Sequence, residues 1–349
     1  MNPVPLRIGV VGLNGYGSTY FKSLAGHADA KITAVCDANP AVLRASAEQH
    51  GIAHAFTTLD ALLASGTTDA VCIATPHFLH HPMVLAALRA GQHVFCEKPL
   101  TITSAHAHEL TATARDVGRV LTCHYNQRTR DHIANLRWLA RSGLLGDIYH
   151  INAAWMARHT EFMFDTATTW RQSRAKCGGG IFIGRGSHLI DAALHMLDFP
   201  KVEAITATVS NKLAGYEVDD FAHATLRLAG GVTLSVECSY LLHLPGPTET
   251  QHWELFGTKG GATFHNLKGT PAQLSVGRCA FPSEAWTDLT PELDLAAARA
   301  AAPRSILDDF IRAVLDHREP FVTGEQAAYV TRIIEAGYRS ADTGREVVL

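Results

Sequence analysis

The chain has 349 residues, 47% hydrophobic and 18% charged, with a formal net charge of −3 at pH 7. Single cores rarely grow past about 250–300 residues, so about two domains are expected. The slightly acidic balance gives no electrostatic drive toward nucleic acid or an anionic membrane, and neither is expected as a partner. The start, Met1-Asn2-Pro3-Val4-Pro5, shows neither a basic n-region nor a long apolar h-region, and no run approaches the ~20 apolar residues that span a bilayer. Seven cysteines are scattered without a CxxC pair. Cys36, Cys72, Cys96 and Cys123 each lie near the end of an apolar run, where free cysteine is a small buried hydrophobe. This usage suits a reducing compartment, and a cytoplasmic location is expected.

In chain order, Leu6, Ile8, Val10 and Val11 form an apolar run that enters the turn Gly12-Leu13-Asn14-Gly15-Tyr16-Gly17, and a helical pattern follows. A second run, Ile32-Thr33-Ala34-Val35-Cys36, ends in Asp37. A glycine-rich turn opening a helix offers backbone N–H groups to a phosphate, and an acid about 20 residues on can take the ribose hydroxyls. Strand, turn, helix, strand and acid in this order point to a bound dinucleotide, with NAD favoured over NADP. Asp37 should repel a 2′-phosphate, and Ala38 and Asn39 supply no cation to hold one.

Strands are predicted over 6–11, 31–36, 70–74, 93–96 and 120–124, with helices at about 15–27, 40–50, 77–90 and 104–117. This alternation requires a parallel sheet with helices on both faces, and ligands gather beyond the strand carboxyl ends. After Cys123 the rhythm changes. A helix is predicted near 131–142, a strand at 147–158, a polar loop leading to Gly178-Gly179-Gly180, and a helix near 187–197. The stretch from about 202 to 275 is mostly strand, with Gly230-Gly231 as a hairpin turn. Helices near 305–317 and 324–341 precede a short strand at 346–349. The fold class is α/β, with a doubly wound parallel sheet in residues 1–123 and a second α/β domain, 124–349, built on a large, mostly antiparallel sheet. One open face of that sheet is available for self-association.

At the strand ends of the first domain, Val71-Cys72-Ile73-Ala74 leads into Thr75-Pro76-His77, followed by His80 and His81. Val94-Phe95-Cys96 leads into Glu97-Lys98-Pro99. An ammonium at such a mouth is desolvated, which favours the neutral amine and suits proton exchange near neutrality. A surface Glu–Lys pair stopped by proline accounts for the same residues equally well.

Together, the turn Gly12–Gly17, Ala74-Thr75-Pro76 with His80, Ala90-Gly91-Gln92-His93-Val94 and Glu97-Lys98-Pro99-Leu100 resemble the Gfo/Idh/MocA oxidoreductase family. Trp170-Arg171, Gly178-Gly179-Gly180, His188-Leu189-Ile190-Asp191 and Gly344-Arg345-Glu346-Val347 extend the resemblance over essentially the whole chain. It implies a Rossmann domain followed by an open-faced α/β domain, and NAD(P)-dependent oxidation or reduction at a carbinol carbon of a sugar, inositol or related small molecule. It further implies that Lys98 is the catalytic lysine and His188 the active-site histidine. Gly12, Asn14, Gly15, Tyr16, Gly17, Asp37, Thr75, Pro76, His77, His80, Glu97 and Lys98 would line the cofactor. Lys98, Tyr125, Trp170, Arg171, Gly184 and His188 would meet the substrate.

Two departures stand out. Asn14 replaces the middle glycine of the family's turn. Gly184 occupies the position, four residues before His188, where the family carries an aspartate. A carboxylate there would orient the imidazole, and glycine cannot. Tyr125 and His124, Arg171 and Asp191 are the candidate replacements, Tyr125 either as a general acid or base or as a packing residue at the domain boundary. Trp155, Arg158 and Tyr240 are further candidates for the pocket. Twenty histidines invite a metal reading, but no set joins acidic or cysteine ligands in a recognised spacing, and no catalytic metal is expected. The missing aspartate leaves two alternatives open: an enzyme that retains NAD and uses transient oxidation for elimination or glycoside cleavage, or a non-catalytic dinucleotide-sensing regulator.

Overall fold

The computed structural model describes residues 5–158, 166–243, 248–281, 283, 285–290 and 293–349. Residues 1–4, part of the polar loop before Gly178, and 244–247 within the strand-rich region lie outside the described residues. The chain divides into two compact units, 1–125 with 303–331, and 126–302 with 332–349.

The first unit carries a six-stranded parallel sheet. Its elements are β1 (Leu6–Val11), α1 (Thr19–Leu24), β2 (Ala30–Cys36), α2 (Pro40–His50), β3 (His54–Phe56), α3 (Leu59–Ala64), β4 (Ala70–Ile73), α4 (His77–Arg89), β5 (His93–Cys96), α5 (Ser104–Asp116) and β6 (Leu121–Cys123). The strand order is β3-β2-β1-β4-β5-β6, so the direction of winding reverses between β1 and β4. That reversal opens the crevice in which such sheets hold ligands. Helix starts follow their caps: Asn39 accepts from Ala41 N–H, Thr58 from Ala61 N–H and Thr103 from His106 N–H. β1, β4 and β5 are buried almost throughout, Ile8, Val10, Val71, Ile73, Val94 and Phe95 being fully enclosed. Each such side chain contributes about 1.5–3 kcal/mol through removal from water.

The segment 303–331 was expected with the second domain, within 124–349, but clusters with the first unit. The cause is packing. Its helix, Ile306–Leu315, lays Phe310 edge-on against Phe95 of β5 at 5.5 Å, and Arg312 pairs with Asp29 at 2.7 Å.

The second unit contains α6 (Asp131–Arg141), β7 (Ile148–Ala157), a short α7 (Arg174–Cys177), α8 (Ser187–Met196), β8 (Val202–Ser210), β9 (Phe221–Leu228), β10 (Thr233–Ser239), β11 (Glu249–Gly257), β12 (Gly261–Leu267), β13 (Gln273–Cys279), β14 (Trp286–Asp288) and α9 (Leu295–Ala300). After α10 (Ile306–Leu315), the boundary at 331/332 falls inside α11 (Gly324–Thr343), and β15 (Val347–Val348) returns to β8. Nine strands pair in the order β14-β13-β12-β11-β7-β10-β9-β8-β15, all antiparallel except β7 with β10. On β9 the side chains alternate, with Ala222, Ala224, Leu226 and Leu228 buried and His223, Thr225 and Arg227 exposed. One face therefore packs and the other is polar. Among the described residues, no helix is long and apolar enough to cross a membrane.

α8 is buried along its whole length, including Asp191. That carboxylate is answered by Arg128, whose Nε and Nη2 donate to it at 2.9 and 2.6 Å with both side chains fully enclosed. A bidentate pair fixes the rotation of α8, and with it the direction of His188 one turn earlier. Removing one partner strands a buried charge. Arg128→Met is expected to cost about 3–5 kcal/mol in urea unfolding, and a loss below about 1 kcal/mol would show that the pair does not anchor the helix.

Candidate active site

In the first unit the glycine turn is shaped by close approach. Gly12 has a left-handed φ of 84°, and a Cβ on it would lie 2.6 Å from the Ala74 carbonyl oxygen. A Cβ on Gly17 would meet the Gly12 carbonyl oxygen at 1.8 Å. Gly15, at φ 59°, has nothing within 4 Å, so glycine there serves backbone conformation alone. Asn14 has φ −84°, which any residue adopts, so the turn tolerates the departure from the family's glycine. Asn14, Gly15 and Tyr16 form its exposed tip.

Asp37, at the end of β2, reaches back to this turn. One carboxylate oxygen accepts the Leu13 N–H and the other the Asn39 N–H, each at 2.9 Å. A cradle emptied of side chains at 12 and 17, with a fixed carboxylate beside it, fits the pyrophosphate and ribose of a dinucleotide.

The loops after β4 and β5 meet through His80. Its Nδ1 lies 2.7 Å from the Pro99 carbonyl oxygen and its Nε2 2.9 Å from that of Thr75. The ring is fully buried, so His80 ties together the two loops that carry Thr75 and Lys98. Pro76 caps α4 and His77 begins it, buried, with its ring 5.7 Å from that of His80. The Lys98–Pro99 bond is cis, and Lys98 is half-buried.

Glu97 is the electrostatic centre of this end. Its Oε1 accepts from the Tyr20 hydroxyl and lies 2.8 Å from His124 Nδ1. Burial disfavours its charge, but the His124 imidazole, the Tyr20 hydrogen bond and the Lys98 ammonium outweigh that and hold the carboxyl below the usual range. The Tyr16 ring stands edge-on to His124 at 5.3 Å, linking the turn tip to this cluster. Tyr125 is fully buried, with its N–H donating to the Cys123 carbonyl.

In the second unit, His188 sits in the first turn of α8, directly after a π-helical turn over Phe182–Gly186. Such turns are uncommon and frequent at functional sites. The Trp155 ring lies 6.1 Å from that of His188. Trp155 Nε1 donates to Glu249 Oε1 at 2.6 Å, and Arg185 Nη2 pairs with the same oxygen at 2.9 Å. The Arg185 guanidinium lies 4.7 Å from the Trp155 ring centre and 5.6 Å from that of Tyr240. Arg171 stacks on Trp170 at 4.4 Å, and Arg158 is exposed. Of the replacements considered for the absent aspartate, Asp191 is committed to Arg128 and His124 to Glu97.

The segment that presents His188 is held from below by Asp219. Its carboxylate accepts from Gly180 N–H at 2.7 Å, Phe182 N–H at 2.8 Å and the Tyr338 hydroxyl at 2.9 Å. Asp219, Arg185 and Glu249 were not singled out from the sequence. Arg185 is adjacent to Gly184, the one available hint. Among the described residues, no group of three or more His, Cys, Asp or Glu side chains could hold a metal ion.

These features match known proteins. Residues 6–125 fit a family model described as an oxidoreductase family with an NAD-binding Rossmann fold, and residues 133–263 fit that family's C-terminal domain. The chain belongs to the Gfo/Idh/MocA oxidoreductases. The D-glucoside 3-dehydrogenase of Escherichia coli K12 is 28% identical, aligned over 100% of this chain and 99% of its own length. The 1,5-anhydro-D-fructose reductase of Ensifer adhaerens is 27% identical, over 86% of each. The crystal structure of GenD2 from gentamicin A biosynthesis, in complex with NAD, is 27% identical with a TM-score of 0.83, covering 100% of this chain and 97% of that one.

The carboxylate of Asp37 predicts the cofactor preference. Asp37→Ser keeps an acceptor for the turn while removing the charge. NADP affinity relative to NAD should then rise by about tenfold or more in calorimetric titration, and an unchanged ratio would remove Asp37 from discrimination.

Proposed function

We propose that this chain is an NAD-dependent oxidoreductase acting on a hydroxyl or keto carbon of a sugar, inositol or related polyol. The observation that carries this reading is the half-buried Lys98 beside the charged Glu97, at the end of a parallel strand next to a dinucleotide cradle. Bound NAD supplies the hydride acceptor or donor. Lys98 exchanges the proton of the substrate hydroxyl, and the Glu97 carboxylate sets the charge around it. His80 holds the Lys98 loop to the Thr75 loop, so that the amine is presented from a fixed backbone. His188, with Trp155 beside it, orients the substrate hydroxyl, while Trp170 and Arg171 offer a flat, cationic surface to a sugar ring. The Gly12–Gly17 turn, Asp37, Thr75, Pro76 and His77 hold the dinucleotide. Tyr125, enclosed as it is, takes a packing role in this reading.

The test is direct. Lys98→Met should bind NAD as the parent does while turnover of sugars, inositols and their keto forms, followed at 340 nm, falls about 10²–10⁴-fold. An unchanged rate would remove Lys98 from the chemistry. Accumulation of NADH over many turnovers separates this activity from one that retains the cofactor.

Two coarser features belong to the same proposal. All seven cysteines are free and six are buried, which supports a reducing, cytoplasmic location. The polar face of the nine-stranded sheet supports self-association as a dimer or tetramer. Light scattering should report a mass above that of one chain, and a monomer at micromolar concentration would dismiss the oligomer.

A further inference from the structure

Gly184 sits inside the π-helical turn, four residues before His188, and is fully enclosed. The space where its side chain would project is already taken. A Cβ built on Gly184 would lie 2.0 Å from the Tyr240 hydroxyl oxygen and 3.1 Å from the ring carbon that carries it. No other group approaches that position so closely, and Tyr240 comes from the end of a different element, one residue past β10. The phenol is held in place. Tyr240 N–H donates to the Asp220 carbonyl at 2.9 Å, and the Arg185 guanidinium lies 5.6 Å from the ring centre. Arg185 in turn packs on Trp155, whose ring faces His188, so Tyr240, Arg185, Trp155 and His188 form one contiguous wall.

We infer that the Tyr240 hydroxyl stands in for the side chain absent at Gly184 and is a positioning residue for the substrate hydroxyl beside His188. This rests on the oxidoreductase reading above. The glycine and the tyrosine are one device: any side chain at 184 would evict the hydroxyl, and glycine is what admits it. The exchange has chemical content. Burial pushes the Tyr240 phenol up, with Arg185 and Arg171 pulling only partly the other way, so the hydroxyl stays protonated across the physiological range. A neutral phenol both donates and accepts a hydrogen bond, whereas an ionised carboxylate only accepts. The site can therefore donate to a keto oxygen and accept from a hydroxyl at the same place, and it places no negative charge there to repel an acidic sugar.

Tyr240→Phe keeps the ring and removes only the oxygen. It is expected to melt with the parent and keep its NAD affinity, while kcat for the sugar falls about tenfold or more. Gly184→Asp should lose activity because the new side chain collides with the hydroxyl. Gly184→Asp combined with Tyr240→Ala should recover at least about tenfold over Tyr240→Ala alone, and its pH–rate profile should gain a carboxylate limb that the parent lacks. Parent kinetics from Tyr240→Phe, or full activity of Gly184→Asp with Tyr240 intact, would overturn the assignment. Lys98→Met run alongside separates the two levels. If the parent turns over no sugar or polyol, the oxidoreductase reading itself fails. If the parent is active, Lys98→Met is dead and Tyr240→Phe is normal, only the role of Tyr240 fails.

Discussion

The buried carboxylate of Asp219 is the constraint on which the segment leading to His188 depends. It gathers two backbone N–H groups and the Tyr338 hydroxyl, and the Tyr338 oxygen itself accepts the Gly180 and Ile183 N–H groups. Charge-assisted hydrogen bonds of this kind are roughly twice as strong as neutral ones. They bring Asp219 and Tyr338 so close to the chain that a Cβ on Gly179 or Gly180 would fall within about 2 Å of them. Gly179 and Gly180 are therefore the imprint of this clamp on the sequence, while Gly178 ends α7 in a left-handed conformation. The clamp's effect reaches the π-helical turn that follows, then Gly184, then His188.

The first unit solves a similar problem with different groups. Its two functional loops are joined by one imidazole, His80, and its buried charge, Glu97, is satisfied by Tyr20 and His124. In each unit a buried polar side chain fixes the backbone that carries a proposed reactive group, His80 for Lys98 and Asp219 for His188. The division of labour explains why a half-buried lysine can sit beside a buried glutamate: the carboxylate is charged because three neighbours compensate its burial.

Much of this was legible in the sequence. Five of the six strands of the parallel sheet and the glycine turn announce themselves through apolar runs and order, and the alternation of β9 against β10 around Gly230-Gly231 reads directly. The three-residue β6 is buried throughout and reads as an apolar run, whereas the equally short β3 is an exposed edge strand, His54-Ala55-Phe56, with no apolar run to mark it. The membership of 303–331 in the first unit escaped because it depends on a ring contact between residues 215 positions apart, Phe95 and Phe310. For the site, Gly184 is visible as a gap, but the residue whose hydroxyl occupies that space lies 56 positions away, just past the end of β10. The sequence places His80 by the cofactor, and only the structure shows its two ring nitrogens lying against the Pro99 and Thr75 carbonyl oxygens. Local pattern reports elements, whereas side chains that converge from distant segments leave no periodic trace.

The return of residues 303–331 to the parallel sheet has a practical corollary for anyone dissecting this enzyme. A fragment cut at Tyr125 would expose the face of Phe95 that Phe310 covers and leave Asp29 without Arg312. The nucleotide-binding half is thus a spliced module, assembled from two stretches of polypeptide, and its integrity is decided only after some 300 residues have been made.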